Sequence, residues 1–197
     1  QSFLKKRKLD YETGDMGPMY GFQWSHFGAE YKGMNHDYTG QGYNQLENVI
    51  HLLKTDPYNR RILMTTYNPL DIDKSVLAPC HGLVVQFYVS KNKLSCHMFQ
   101  RSSDSFLGLP FNISSYSLLT YIIAREVKLE PGELSISLGD CHIYDSHYDA
   151  VKEQLTRDPT EFPTLEFDKK KMTEYKFDDF RLNNYNPQKI IKASMIP

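Results

Sequence analysis

Two segments of the chain have the apolar spacing of an α-helix. In the first, residues 41–54, apolar side chains recur at the i, i+3, i+4, i+7 interval that forms one helical face. These side chains are Leu46, Val49, Ile50 and Leu53. The helix is predicted to end at Asp56-Pro57, because the residue before a proline disfavours helical geometry.

The second helical segment, residues 113–127, is apolar on nearly all sides. A helix without a polar face is enclosed by the rest of its fold, so we expect this one to be central. Its predicted buried side chains are Ile113, Tyr116, Leu119, Ile122, Ile123 and Val127.

Residues 82–101 have the pattern of a β-hairpin. The first half, 82–89, is rich in β-formers and predicts a strand buried on both faces. Lys91-Asn92 follows as a tight turn. From 94 to 101 the side chains alternate between two faces, with Leu94, Cys96, Met98 and Gln100 on one face and Ser95, His97, Phe99 and Arg101 on the other.

The remaining pattern predicts shorter elements around these. Residues 17–24 combine glycine, proline and aromatic residues and predict a shaped loop. Strands are predicted at 62–67, 134–138, 164–167 and 189–195, and a polar helix at 145–156. Together these elements predict one α+β domain over residues 1–197, an α/β sandwich with helices packed on a mixed sheet.

Composition narrows the class of protein. The 197 residues are 40% apolar with a net charge of −1, which fits a globular domain without an overall basic field for nucleic acid. No run approaches the roughly 20 apolar residues of a membrane helix. The basic run at 5–8 predicts a solvated helix face, with a nuclear-localisation or nucleic-acid patch as the alternative. Cys80, Cys96 and Cys141 are widely spaced, which favours free thiols in a reduced, intracellular setting.

Cys80, in Ala78-Pro79-Cys80-His81, is the candidate nucleophile. A thiol becomes strongly nucleophilic as the thiolate, which a nearby cation favours. Adjacent strand residues point to opposite faces, so the sequence does not make His81 the base. The alternative is a small buried side chain at the edge of a strand.

Four further groups carry side chains that suit an anionic, heterocyclic ligand. Residues 100–104 place an arginine, two hydroxyls and a carboxylate together, which suits an oxyanion and a base edge, or a surface turn with an ion pair. Arg60 and Arg61 are either surface charges or the edge of a cleft. Asn112 offers a donor and an acceptor for a uracil edge, or caps a helix. By period 2, His142 and Tyr144 share a face and either offer polar tips to a ribose hydroxyl or are hydrogen-bonded polar groups of the core.

Seven motifs occur in one order, at 17–24, 60–61, 78–81, 86–89, 100–104, 106–112 and 142–144. Singly none is specific, but the series resembles the thymidylate synthase family from about Asp10 to the C-terminus. The resemblance implies that dUMP is reductively methylated to dTMP through a covalent thiol adduct. The cosubstrate implied is 5,10-methylenetetrahydrofolate, with no metal.

The resemblance also implies a role for each matching position. Cys80 attacks C6 of the uracil ring, and Tyr20 assists removal of the C5 proton. Arg101 and Ser102 bind the dUMP phosphate, and Arg101 also activates the thiolate. Asn112 reads the uracil edge.

Five more positions complete the site that the resemblance implies. Gln100 and Ser103 belong to the same dUMP-binding segment, and Asp104 contacts both uracil and the folate pterin. His142 and Tyr144 hold the ribose 3′-hydroxyl.

The resemblance further implies a cytoplasmic homodimer that pairs through one face of its sheet. Arg60 and Arg61 then reach the phosphate in the partner's site, and the last residues, near Ile196, close over bound folate. A membrane partner is not expected, nor is nucleic acid apart from mRNA.

The match covers the C-terminal two-thirds of the family's pattern. The family's N-terminal third supplies another phosphate-binding arginine, a glutamate that organises water and a tryptophan beside the folate, so the segment alone is expected to turn over little. Three alternatives stay open: a dUMP hydroxymethylase, a non-catalytic dimerisation or RNA-binding segment, and an unrelated α+β domain. Asn112 argues against a deoxycytidylate hydroxymethylase.

Overall fold

A four-stranded mixed sheet forms the centre of the computed structural model, which describes residues 7–196. Its strands are β1 (Leu63–Met64), β2 (Val84–Ser90), β3 (Lys93–Asp104) and β4 (Glu130–His142). They lie in that order across the sheet. The pairs β1–β2 and β2–β3 are antiparallel, and β4 runs parallel to β3. The predicted mixed sheet is therefore confirmed.

The β2–β3 hairpin is also confirmed. Lys91 and Asn92 both adopt left-handed φ angles, 49° and 61°, as a two-residue hairpin turn requires. Along β3 the alternation is as predicted, with Leu94, Met98 and Gln100 buried. The prediction that β2 is buried on both faces is wrong, because every second side chain of β2 is exposed.

Within the described residues, four α-helices accompany the sheet: α1 (Gly21–His26), α2 (Gln45–Thr55), α3 (Gly108–Glu126) and α4 (Tyr148–Leu155). Helix α2 forms but begins at Gln45, four residues later than predicted, and it ends at Thr55, directly before the predicted stop at Asp56-Pro57. The Asn44 side chain accepts the Glu47 N–H at 3.0 Å, which satisfies one of the free donors at the start of the helix. Val49 and Leu53 join the core beneath the sheet.

Helix α3 packs on β3 and β4 and is longer than predicted, because it begins at Gly108. Tyr116 and Ile123 are buried, but Phe111 is 74% exposed and Ile113 is 45% exposed. The prediction of a central, enclosed helix is therefore wrong, since only the sheet-facing side of α3 is covered. Asn112 lies inside the helix, so the alternative that it caps the helix is also wrong.

The shorter elements differ most from prediction. The loop at 17–24 gives way to α1 at Gly21, and the strand at 62–67 is reduced to β1. The strand at 164–167 forms as β5 (Thr164–Phe167), and it pairs with β6 (Phe180–Asn183), a strand that was not predicted. Residues 189–195 form no strand. Lys5 and Lys6 of the basic run lie outside the described residues.

The core beneath the sheet is one continuous cluster, built from α2, β1, β2, β3 and α3. It covers only one of the two sheet faces, and the other keeps exposed apolar side chains: Leu63, Val84, Tyr88 and Phe99. None of the helices within residues 7–196 combines the length and apolar character needed to cross a membrane.

Candidate active site

One end of the sheet gathers most of the candidate site residues. The Arg101 backbone N–H donates to the Cys80 carbonyl at 2.7 Å, so the segment that carries Cys80 lies directly beside β3. Because β4 is parallel to β3, His142 stands opposite Asp104. Helix α3 starts four residues after β3 ends and brings Asn112 to the same end. Four of the seven motifs therefore lie together at this end of the sheet.

The three free cysteines have different surroundings. Cys96 lies in the core, and burial raises the pKa of its thiol to about 11, which makes it a poor nucleophile at neutral pH. Cys141 is exposed on β4, with its sulfur 3.0 Å from Ser105 Oγ. Cys80 is half-buried beside a phenol and an arginine, so it has the surroundings of a reactive thiol.

Tyr20 is the closest side-chain neighbour that the hydrogen bonds give to the Cys80 sulfur. Its Oη lies 3.6 Å from Cys80 Sγ and accepts the Cys80 backbone N–H at 3.2 Å. Burial is the main reason that the Tyr20 pKa is raised, so its hydroxyl stays protonated at neutral pH. Tyr20 has a positive φ of 35°, which a tyrosine adopts only where surrounding contacts hold it.

Those contacts come from helix α1, which follows Tyr20. Gln23 Nε2 donates to Pro18 O and to Asp71 Oδ2, both at 2.9 Å. Gln45 Nε2 donates to the Gln23 carbonyl at 2.8 Å. Since Gln23 and Asp71 are buried, these bonds fix α1 and hold the strained Tyr20 backbone beside Cys80.

His81 extends the cluster away from Cys80. Its ring stacks on Tyr20 with a centroid separation of 4.3 Å and an interplanar angle of 14°. Its Nδ1 lies 3.0 Å from the hydroxyl oxygen of Tyr116. Burial lowers the His81 pKa to about 4, so the ring is neutral at neutral pH. The sequence did not predict this stack, because Tyr20 and Tyr116 are distant along the chain.

Arg101 has its side chain anchored beside Cys80. Its Nε donates to the Pro79 carbonyl at 3.3 Å, and its backbone is bonded to Cys80 as described above. This hydrogen bond holds the Arg101 guanidinium at Pro79, the residue before Cys80.

Gln100 and Asn112 form a second polar pair. Gln100 is buried, and its Nε2 donates to Asn112 Oδ1 at 3.0 Å. This bond fixes the orientation of the Asn112 amide, so the Asn112 NH₂ group remains available as a donor. Gln100 Oε1 and Ser103 Oγ are buried without a hydrogen-bond partner among the described residues.

His147 links Asp104 to the C-terminal segment and was missed from the sequence. It is fully buried, with Nδ1 3.8 Å from Asp104 Oδ1 and Nε2 2.8 Å from the Ser194 carbonyl. Its ring also contacts that of Tyr144, with centroids 5.5 Å apart. The polar pattern of residues 145–156 gave no signal for it, because burial of one histidine there depends on the tail that covers it.

His142 and Tyr144 lie together, as period 2 predicted. Their ring centroids are 5.0 Å apart at an interplanar angle of 79°. His142 Nδ1 is 3.1 Å from Asp140 Oδ1, a bond that orients the ring. Ile196 follows the tail segment bonded to His147.

Arg60 and Arg61 are not brought into this cluster. Both are exposed in the turn before β1, at the sheet edge. The described residues give neither guanidinium a hydrogen bond or an ion pair. No group of three or more metal-binding side chains occurs within residues 7–196.

The fold and site define a class: an α+β domain with one half-buried thiol between a hydrogen-bonded phenol and an anchored arginine. A family model described as thymidylate synthase matches residues 2–197. The chain belongs to the thymidylate synthase family.

Three similar proteins bear the name thymidylate synthase. That of Saccharomyces cerevisiae is 52% identical over 94% of this chain and 64% of its own length. That of Herpesvirus ateles is 52% identical over 99% of this chain and 68% of its own. The human protein is 51% identical over 93% of this chain and 59% of its own. The chain thus spans about two-thirds or less of the length of these relatives.

Proposed function

We propose that the protein acts as a thymidylate synthase, converting dUMP to dTMP with Cys80 as the nucleophile. The observation that carries the proposal is the Cys80 thiol, 3.6 Å from the Tyr20 hydroxyl and one residue from the carbonyl that anchors Arg101. A thiol in these surroundings, in a member of this family, suits covalent catalysis on a uracil ring.

The covalent step uses the Cys80 thiolate. Its electron pair forms a bond to C6 of uracil, and the electrons of the C5–C6 double bond move to make C5 nucleophilic. We assign Arg101 to the stabilisation of negative charge on the sulfur, because its Nε is anchored to the residue before Cys80. When the methyl group is complete, the C–S bond breaks and Cys80 leaves with the electron pair that it brought.

The folate is the second substrate that we propose, and two features of the chain suit it. Asp104 Oδ1 accepts the N–H groups of Phe106 and Leu107, while its other oxygen remains available to the donors of a pterin. His147 connects Asp104 to the tail that ends near Ile196. When bound, 5,10-methylenetetrahydrofolate supplies the one-carbon unit and the hydride that completes the methyl group.

Tyr20 would assist loss of the C5 proton as a neutral phenol. Because its pKa is raised by burial, it does not serve as a phenolate base at neutral pH. Its hydroxyl can instead orient a water that accepts the proton. The Tyr20 hydroxyl also helps to hold Cys80 in position, because it accepts the Cys80 backbone N–H.

We propose that residues of β3 bind the phosphate of dUMP and that residues at the end of β4 bind its ribose. Arg101 and Ser102 bind the phosphate, as a guanidinium and a hydroxyl can do together. His142 and Tyr144 hold the ribose hydroxyl at the end of β4. Ser103 is fully buried, so we assign it to the support of this segment.

Asn112 is the residue that we propose to read the uracil edge. Its NH₂ group donates to O4, and the second lone pair of its Oδ1 accepts N3–H. Gln100 acts through Asn112, because its Nε2 already occupies one lone pair of Asn112 Oδ1.

We further propose a homodimer that pairs through the uncovered sheet face. Several large apolar side chains are exposed on one sheet face, as at interaction surfaces, and Arg60 and Arg61 precede β1 at the sheet edge. Pairing would let these arginines reach the phosphate in the partner's site. Free cysteines suit the cytoplasmic location that we propose.

Trapping of Cys80 by 5-fluoro-dUMP with the folate tests the proposal on the full-length product of the gene. Mass spectrometry should find one covalent adduct on the peptide that contains Cys80. The Cys141→Ser variant should keep the adduct and Cys80→Ser should lose it. A second assay with dUMP should give a product bearing CH₃; CH₂OH would identify a hydroxymethylase, and no adduct on the full-length protein would contradict the proposal.

A further inference from the structure

Beyond the roles above, we infer that Tyr116 is a positioning residue: its hydroxyl fixes the tautomer of His81, and His81 in turn holds the Tyr20 hydroxyl at Cys80. The consequence for catalysis rests on the proposed function, whereas the tautomer and the reactivity of Cys80 do not. Tyr116 lies on α3, and its ring meets the His81 ring edge-on, with centroids 5.7 Å apart at an interplanar angle of 82°.

The hydrogen-bond inventory of Tyr116 determines the direction of its bond. The hydroxyl is buried, since the residue is 2% exposed. Among the described residues its one hydrogen-bond partner is His81 Nδ1, at 3.0 Å. If Nδ1 carried the ring proton, the phenol would accept that bond and its own hydrogen would have no acceptor. An unpaired buried donor is costly, so Tyr116 donates and Nδ1 accepts.

This direction places the proton of the neutral His81 ring on Nε2, because a neutral imidazole carries one proton. Burial raises the pKa of Tyr116, which keeps the donor protonated. With Nδ1 bonded to α3, the His81 ring cannot turn freely. Tyr20 lies against this fixed ring, so the same contact limits where the Tyr20 hydroxyl can stand.

The backbone next to His81 is shaped around the Tyr116 hydroxyl. Gly82 has a positive φ of 65°, and a Cβ added there would lie 2.1 Å from Tyr116 Oη. A side chain at residue 82 would therefore be strained by its backbone and would displace the hydroxyl. Gly82 leaves the space in which Tyr116 reaches His81.

Selective ¹⁵N-histidine NMR of Tyr116→Phe tests the inference without any nucleotide or folate. The two ring nitrogens have distinct shifts when protonated and unprotonated, and His81 is assigned as the signal that His81→Gln lacks. The wild-type protein should show the proton on Nε2. Tyr116→Phe should show a mixture of the two tautomers, whereas Tyr121→Phe, also on α3, should match the wild type.

The second measurement is the rate at which iodoacetamide alkylates Cys80, followed by mass spectrometry of its peptide. Tyr116→Phe should change this rate by about three- to tenfold, the rate equivalent of one hydrogen bond. Gly82→Ala should reproduce both effects, because it displaces the same hydroxyl. In the complete enzyme kcat should fall while the KM for dUMP stays within about twofold, as one hydrogen bond remote from the nucleotide predicts.

Three results would overturn the inference: a wild-type proton on Nδ1, a tautomer unchanged in Tyr116→Phe, or a changed tautomer with an unchanged alkylation rate. Circular dichroism should first show that each variant is folded, so that none of these results can be attributed to unfolding. Failure of the 5-fluoro-dUMP adduct would instead count against the proposed function and would leave the tautomer result intact.

Discussion

The same strands form both faces of the central sheet, but one face is buried in the core and the other is exposed. On one face Phe87 is 2% exposed and lies in the core under the helices. On the other face its neighbour Tyr88 is 67% exposed, although it is also large and aromatic. The chain therefore covers one face of the sheet with its own helices and leaves the apolar side chains of the other face exposed. The comparison shows that an alternating pattern assigns residues to faces without determining what covers each face.

The largest expected effect compares these two neighbours directly. Phe87→Ala should lower the free energy of unfolding by about 3–5 kcal/mol, because it removes a filled core position. Tyr88→Ala should cost the isolated chain less than about 0.5 kcal/mol. Urea unfolding at a protein concentration that keeps the chain monomeric would measure both. Equal losses would mean that the two faces do not differ as described.

A charge on the uncovered face is the next test. Tyr88→Asp should weaken self-association at least about a hundredfold, because an unpaired carboxylate is costly to bury between two copies. Light scattering of the full-length protein should show the molar mass halve. Phe162→Asp is the matched control, since Phe162 is exposed in a loop outside the sheet. A dimer that persists in Tyr88→Asp would show that pairing does not use this face.

The arginines beside the uncovered face give a smaller, functional effect. Arg61→Ala should raise the KM for dUMP by about ten- to hundredfold, the equivalent of one charge-assisted hydrogen bond. The same change should affect the free energy of unfolding by no more than about 0.5 kcal/mol.

Mixing subunits shows which site Arg61 serves. A heterodimer of Arg61→Ala and Cys80→Ser has one site with an intact Cys80 and an intact Arg61 supplied by the partner. Activity should therefore reappear when the two weak variants are mixed. No recovery in a verified heterodimer would place Arg61 at its own subunit's site.

The last comparison concerns the pH dependence of stability and involves His81, which precedes β2. Its folded pKa of about 4 lies below the ordinary 6.5, so between these values the unfolded chain binds a proton that the folded chain does not. Its contribution to stability is present above pH 6.5 and is lost as the pH falls to about 4. Unfolding measured across this range should be steeper in pH for the wild type than for His81→Asn. The exposed His51→Asn variant should follow the wild type; if His81→Asn does so too, the shift is absent.

Much of the site could be located from the sequence because its motifs are local. The order of Cys80, Arg101, Asn112 and His142 along the chain identified the family, and the alternation of β3 correctly assigned its faces. The hairpin turn at Lys91-Asn92 was also predicted correctly, and both residues adopt left-handed φ angles. These features depend on neighbours within a few residues, so a single sequence contains the information.

Tertiary structure decided the rest. The buried His147 depends on a tail more than forty residues away, and the strained Tyr20 depends on Gln23 and Asp71. Helix α3 was expected to be enclosed because its sequence is apolar, yet its outer side is left exposed. Side-chain periodicity is a local property of the backbone, but burial and hydrogen-bond partners depend on which distant segments pack together.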